Sequence, residues 1–155
     1  MPIRFLVDEN VGRLAKWLRM IGYDAILVKD ADDTQLVNFA LKEERILLTR
    51  DTQIMQRRVV TKHQLRVILI QSDRTEEQLH QVIRELDLEC CSRQFTRCME
   101  CNTLLEPRSK AEVQDYVPPY VFRTQEQYML CPGCRRIYWR GTHWQKMKKR
   151  IGDLA

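Results

Sequence analysis

The chain has 155 residues, 44% of them apolar, which is enough for a hydrophobic core and sets it apart from disordered sequences. It contains no apolar run near the length of about 18 residues that marks a membrane span, and Met1-Pro2-Ile3-Arg4 lacks the layout of a signal peptide, so a cytoplasmic protein is expected. Lysine and arginine total 26 against 21 acidic residues, a net charge of +5. That mild excess, densest at Lys146-Met147-Lys148-Lys149-Arg150, suits phosphate-rich partners, and it is equally compatible with an ordinary solvated face.

Ile3 to Val7 is an apolar run of strand length, stopped by Asp8-Glu9-Asn10. Val11, Leu14, Trp17, Leu18 and Ile21 recur at helical spacing, placing Trp17 in the core, and Gly22 sits where a helix ends. Asp24 to Val28 reads as a second strand. A short helix follows with Asp33 at its expected N-cap. Arg45 to Thr49 is a third strand, Arg50-Asp51 leads into a helical stretch reaching about Lys62, and Arg66 to Ile70 is a fourth strand. Thr75 to Leu88 closes the series as a helix whose Thr75-Glu76-Glu77-Gln78 opening has capping-box character. This alternation predicts a mostly parallel sheet flanked by helices, an α/β fold over residues 1–90.

Beyond residue 90 the periodicity fades, while cysteine, proline and tryptophan concentrate. Only short strand-like pieces remain, at Tyr128-Met129-Leu130 and Ile137-Tyr138-Trp139, before a helix from about Thr142. A second, smaller domain over residues 91–155 is expected. Cys98-Met99-Glu100-Cys101 and Cys131-Pro132-Gly133-Cys134 are separated by 29 residues. Two residues between cysteines let one tight turn aim both thiolates at one ion, and two such turns supply the closed S₄ set of a structural zinc site. Disulfides would be disfavoured by a reducing cytosol, and a redox pair would need a strand-to-helix turn that is missing here. The zinc ligands are therefore Cys98, Cys101, Cys131 and Cys134, with Cys90 and Cys91 outside the pattern as packing thiols. So small a segment should draw much of its folding free energy from the metal.

In a parallel sheet, ligands bind at the carboxyl ends of the strands. Asp8 ends the first strand, Asp51 follows the third, and Asp33 follows the second, so all three face one rim. Each alone has a structural explanation as a cap or turn residue. Jointly they would repel by several kcal/mol if about 4–6 Å apart, and a magnesium or manganese ion relieves that. Such an ion activates water against a phosphodiester, while Arg13, Lys16, Arg50, Arg57 and Arg58 are candidates to hold nucleic-acid phosphates.

These residues also carry a family resemblance. Phe5-Leu6-Val7-Asp8, Gly12 through Asp24, Asp32-Asp33 and Arg45 through Asp51 resemble the PIN-like C-terminal ribonuclease domain of the Mut-seven exonuclease family. Phe95 through Asn102, Cys131 through Cys134 and Tyr138 through Trp144 resemble the same family's zinc ribbon. The resemblance implies a PIN-like fold joined to a zinc ribbon, in the form of a standalone member. It also implies a metal-dependent ribonuclease, with Asp8, Asp33 and Asp51 at its acidic positions, and the first reading of the chain is an endonuclease. Glu9 and Asp32 both remain candidates for a fourth carboxylate, with Asn10 as a weaker ligand. A catalytically inactive RNA-binding module, or a ribbon that docks a ribosome or processing complex, is the alternative. Tyr138, Trp139 and Trp144 could stack bases or pack around the zinc core. His143 suits helix capping or packing better than RNA contact.

Overall fold

The structure, a computed structural model, describes residues 2–90 and 92–154, so Cys91 lies outside the described residues. Four strands, β1 (Arg4–Asp8), β2 (Asp24–Val28), β3 (Ile46–Thr49) and β4 (Val67–Leu69), form one sheet in the order β2-β1-β3-β4. Every pairing is parallel. The connections carry α1 (Arg13–Met20), α2 (Asp33–Glu43) and α3 (Arg58–Thr61), and α4 (Thr75–Leu86) follows the last strand. The expected α/β sheet flanked by helices is present.

The alternating side chains of β1 divide the core. Phe5 and Val7 pack with α1 and α4 on one face, and Leu6 packs with Leu36, Val37 and Ala40 of α2 on the other. Strand sequences read as near-continuous apolar runs because both faces are covered. Trp17 is in the first core, as its helical stripe predicts. Gly22 follows α1 at a φ of 98°, and a Cβ there would collide with Arg93, so both conformation and space require glycine.

Two helix starts differ from the sequence reading. The N-cap of α2 is Asp32, which accepts from the Gln35 N–H in a reciprocal capping box, leaving Asp33 as the first helical residue. Helix α4 begins at Thr75 with Arg74 as its N-cap, and because a guanidinium carries donors only, no side chain caps the first turn. The stretch to Lys62 is also less regular than expected, a 3-10 turn at Ile54–Gln56 and the single turn α3.

The C-terminal part contains an antiparallel sheet of β5 (Glu106–Arg108), β6 (Tyr128–Leu130) and β7 (Ile137–Tyr138). Helices α5 (Lys110–Val113) and α6 (Pro119–Thr124) occupy the long inter-cysteine spacer and bury Val113, Val117 and Val121 against Tyr128. Helix α7 (Thr142–Leu154) then returns to the parallel-sheet part, where Trp144, Met147 and Ile151 join the core formed by α1 and α4.

A partly buried polar network fastens the cysteine-bearing segment to edge strand β2. Asp24 accepts from Arg45 at 2.7 Å and from the Asn102 amide at 2.7 Å, while the Ala25 N–H donates to Asn102 Oδ1 at 3.0 Å. Arg19 donates both to the Ala25 carbonyl and to the Met99 carbonyl, at 2.8 and 2.9 Å. Burial alone would raise the Asp24 pKa, but hydrogen bonds from Arg45 and Asn102 outweigh it and hold the carboxyl below its ordinary value. The Arg45 side chain is only 4% exposed. Arg45→Met is therefore expected to cost about 3 kcal/mol by stranding a partly buried carboxylate, measured by urea denaturation. Because Asp24 titrates below its ordinary range when folded, its contribution is complete above that range and is lost as pH falls through the folded value. The stability gap between wild type and Asp24→Asn should accordingly narrow on acidification, and a gap that widened would refute the network's role.

Candidate functional site

The strand order reverses between β1 and β3, since the chain leaves β1 toward β2 and later returns to β1's other side. In an open parallel sheet that reversal leaves a crevice at the carboxyl ends of the two strands. Asp8, 8% exposed, ends β1, and the fully buried Thr49 ends β3 beside it. The Thr49 hydroxyl donates to Asp8 Oδ2 at 2.7 Å and accepts the Asp51 N–H at 3.0 Å. One hydroxyl thus positions two of the three aspartates. Asp51 Oδ1 in turn accepts the Gln53 N–H at 2.9 Å, fixing the start of the following turn.

Asp33 reaches the same rim from the first turn of α2. Its pKa is raised, first by burial and then by the facing carboxylate of Asp51, with Asp8 adding to the effect and Arg57 opposing it. Asp33 is therefore close enough to feel the charge of both other aspartates. They do not close to the spacing of the cysteine cluster. Among the described residues, the four cysteines form the one group of three or more candidate ligands whose donor atoms all lie within 4.8 Å of one another. The further acidic candidates are engaged locally. Asp32 caps α2, and Glu9 Oε1 accepts the Asp30 N–H at 3.3 Å. Asn10 Oδ1 accepts the Arg50 N–H at 3.3 Å, tying the segment after β1 to the segment after β3.

The basic candidates divide into two groups. Arg57 lies beside the acidic rim, donating to Thr34 Oγ1 at 3.0 Å next to Asp33, while Arg50 and Arg58 are exposed on the segments around Asp51. Arg13 and Lys16 are instead exposed on α1, along a trough of about 750 Å³ that starts at Glu9 and Asn10. Lys16 pairs with Glu100 at 2.9 Å, an interaction with the first cysteine turn that sequence reasoning missed because the partner lies 84 positions away.

The two cysteine turns are built alike. The Asn102 N–H donates to the Cys98 carbonyl at 2.9 Å, and the Arg135 N–H to the Cys131 carbonyl at 2.9 Å. The residue after each second cysteine has positive φ, 73° at Asn102 and 67° at Arg135. Cys98 and Cys131 are wholly buried, and the closest sulfur pairs are Cys98–Cys134 at 3.5 Å and Cys101–Cys131 at 3.3 Å. A tetrahedral zinc with Zn–S bonds near 2.3 Å would set its sulfurs about 3.8 Å apart, so this donor set fits the ion. Gly133 permits the closure, since a Cβ there would meet Thr103 Oγ1 at 2.9 Å and two ligand sulfurs beyond it. The hydroxyl of Thr103 brings the Cys101 thiol down to about 6, whereas burial pushes Cys134 up to about 12. A divalent cation lets such unequal thiols all bind as thiolates.

The aromatic candidates separate by environment. The Tyr138 hydroxyl lies 2.9 Å from Cys98 Sγ, and Trp139 packs against the α5–α6 core. Trp144 is buried with the parallel-sheet core, whereas His143 is exposed. No helix among the described residues is long and apolar enough to cross a membrane.

No curated protein and no solved structure matches the chain. The family model described as the Mut7-C RNAse domain matches residues 3–151, and the chain belongs to that family.

Proposed function

We propose that the protein is a divalent-metal-dependent ribonuclease that cuts RNA internally at the Asp8, Asp33 and Asp51 rim. The observation that carries this reading is the Thr49 hydroxyl holding Asp8 and Asp51 together at the sheet's switch point, where Asp33 joins their field. Membership of the ribonuclease family agrees with it. The oxygen-only donors suit magnesium or manganese, which when bound supplies a Lewis acid and a water of lowered pKa. The chain's own residues would do the rest. Asp8, Asp33 and Asp51 would hold the ion, Thr49 would keep two of them oriented, and Arg57 with Arg50 and Arg58 would fix the phosphate. Cleavage of labelled RNA should require magnesium or manganese and fall at least about 100-fold in Asp51→Asn, beyond the loss usual for an outer-shell partner. Thr49→Val should lose roughly 10- to 100-fold while Thr49→Ser retains activity, as expected of a residue that orients ligands. A circular RNA should be opened as readily as a linear one is cut. If wild type and Asp51→Asn bind RNA equally and neither cuts under any metal, the enzyme reading fails and an RNA-binding module replaces it.

We further propose that Cys98, Cys101, Cys131 and Cys134 hold a structural zinc ion, with a closed ligand set that leaves no position for chemistry. The first cysteine turn is clasped to β2 through Asn102 and the Met99 carbonyl, so the metal's contribution extends beyond the ribbon. Metal analysis should find stoichiometric zinc. Chelation or Cys131→Ser should lower the melting temperature by about 10 °C or more, the shift that a loss of a few kcal/mol gives in a chain of this length. Unchanged melting after verified zinc removal would contradict this.

A further inference from the structure

A second concavity, of about 1060 Å³, runs across the ribbon between α6, β7 and the start of α7. Its lining is basic, with Arg97, Arg135, Arg136, Arg140 and Lys16, and its one acid, Glu100, is already paired with Lys16. It is also aromatic. Tyr116 and Tyr120 are 75% and 62% exposed, the two most exposed large hydrophobic side chains among the described residues, and both line this groove. Arg140 is held in place over the rings of Phe95 and Trp144, at 5.6 and 5.2 Å from their centroids, which fixes a cation at the groove wall.

Positive charge interleaved with exposed aromatic faces matches one class of ligand, a nucleic-acid strand whose bases are free to stack. A duplex offers phosphates and 2′-hydroxyls but keeps its base faces covered, so it has no use for the tyrosines. The groove also leads somewhere. It shares Lys16, Met99 and Glu100 with the trough along α1, and that trough ends at Glu9 and Asn10, directly after Asp8.

We propose that the ribbon groove binds single-stranded RNA, stacking bases on Tyr116 and Tyr120 and pairing phosphates with Arg135, Arg136 and Arg140, and that the strand continues along α1 to the acidic rim. The direction of travel rests on the ribonuclease reading, whereas the binding does not. The Lys16–Glu100 pair sits at the junction, where a phosphate passing Lys16 would displace Glu100. The groove is assigned by the structure alone, since Tyr116 and Tyr120 lie in the inter-cysteine spacer, where the sequence shows no motif.

The test compares affinities by fluorescence anisotropy in the zinc-loaded, full-length Asp51→Asn protein, in which the RNA stays intact. The probes are a single strand of about 12 nucleotides, within the span such grooves take, and the same sequence as a duplex. Tyr116→Ala combined with Tyr120→Ala should weaken single-strand binding about tenfold or more and leave duplex binding nearly unchanged, with zinc content and circular dichroism as in the parent. Arg136→Gln should weaken binding and lower the salt dependence. Loss of affinity in these variants upholds the groove even if the wild-type protein never cuts RNA, so the two readings fail separately. Unchanged single-strand affinity in the folded double variant would overturn the groove, as would equal losses for duplex and single strand. Loss of a co-purifying protein with RNA affinity intact would overturn it in favour of a protein-docking surface.

Discussion

Asp24 sits where three parts of the chain meet. It begins edge strand β2, receives the Arg45 guanidinium from the approach to β3, and accepts the Asn102 amide from the turn that follows the first cysteine pair. An edge strand exposes backbone groups that need partners, and here Asn102 Oδ1 takes the Ala25 N–H while Arg19 takes the Ala25 carbonyl. The cysteine turn is therefore docked by paired donors and acceptors at fixed distances, alongside the apolar packing of Phe95 and Met99 on the first core. Truncating any member would leave a partly buried polar group without its partner. This clasp and the return of α7 to the first core together hold the ribbon sheet against α1.

Rigidity of a different origin governs the acidic rim. Carboxylates that repel one another need to be held by something other than their own contacts. Thr49, with no exposed surface at the end of β3, supplies this through a hydroxyl that donates to Asp8 and accepts from the Asp51 backbone. The sheet order brings β1 and β3 side by side, so Asp8 and Thr49 meet without any loop having to fold over them. Asp33 depends on a finer division of labour. Because Asp32 performs the capping of α2, the next carboxylate is released from that task and faces Asp51. A cap at Asp33 itself would have consumed its oxygens on backbone N–H groups.

Much of the architecture was legible in the sequence. The alternation of strand-length apolar runs with helical stripes carried the four parallel strands and their helices, and the paired CxxC turns carried the four-cysteine cluster. Topology placed Asp8, Asp33 and Asp51 on one rim, since strand ends in a parallel sheet share an edge. What could not be read depends on contacts between residues distant in sequence. The pairing of Lys16 with Glu100, the clasp of Asn102 on Asp24 and the return of Trp144, Met147 and Ile151 to the first core have no local signature. The choice between Asp32 and Asp33 as the cap was within reach, because Gln35 stands three residues after Asp32, the spacing a capping box requires. Tyr116 and Tyr120 are invisible for another reason: an isolated tyrosine in a spacer gains meaning only from the arginines that the fold brings alongside it.

The cysteine cluster explains how a short segment can present those tyrosines at all. Helices α5 and α6 form an insertion between the two cysteine turns, and their core of Val113, Val117, Val121 and Tyr128 is too small to hold a shape unaided. Tyr128 ties the insertion to its own sheet by placing its hydroxyl 3.0 Å from the carbonyls of both Val121 and Gln125. The sheet in turn is pinned at its base by the sulfurs, and Gly133 lets the two turns approach closely enough for that. Exposed aromatic rings on a mobile loop would lose much of their binding free energy to ordering. Tied to the sulfur cluster at one end and to Asp24 through Asn102 at the other, the groove lies against α1 and adjoins its trough at Lys16, Met99 and Glu100.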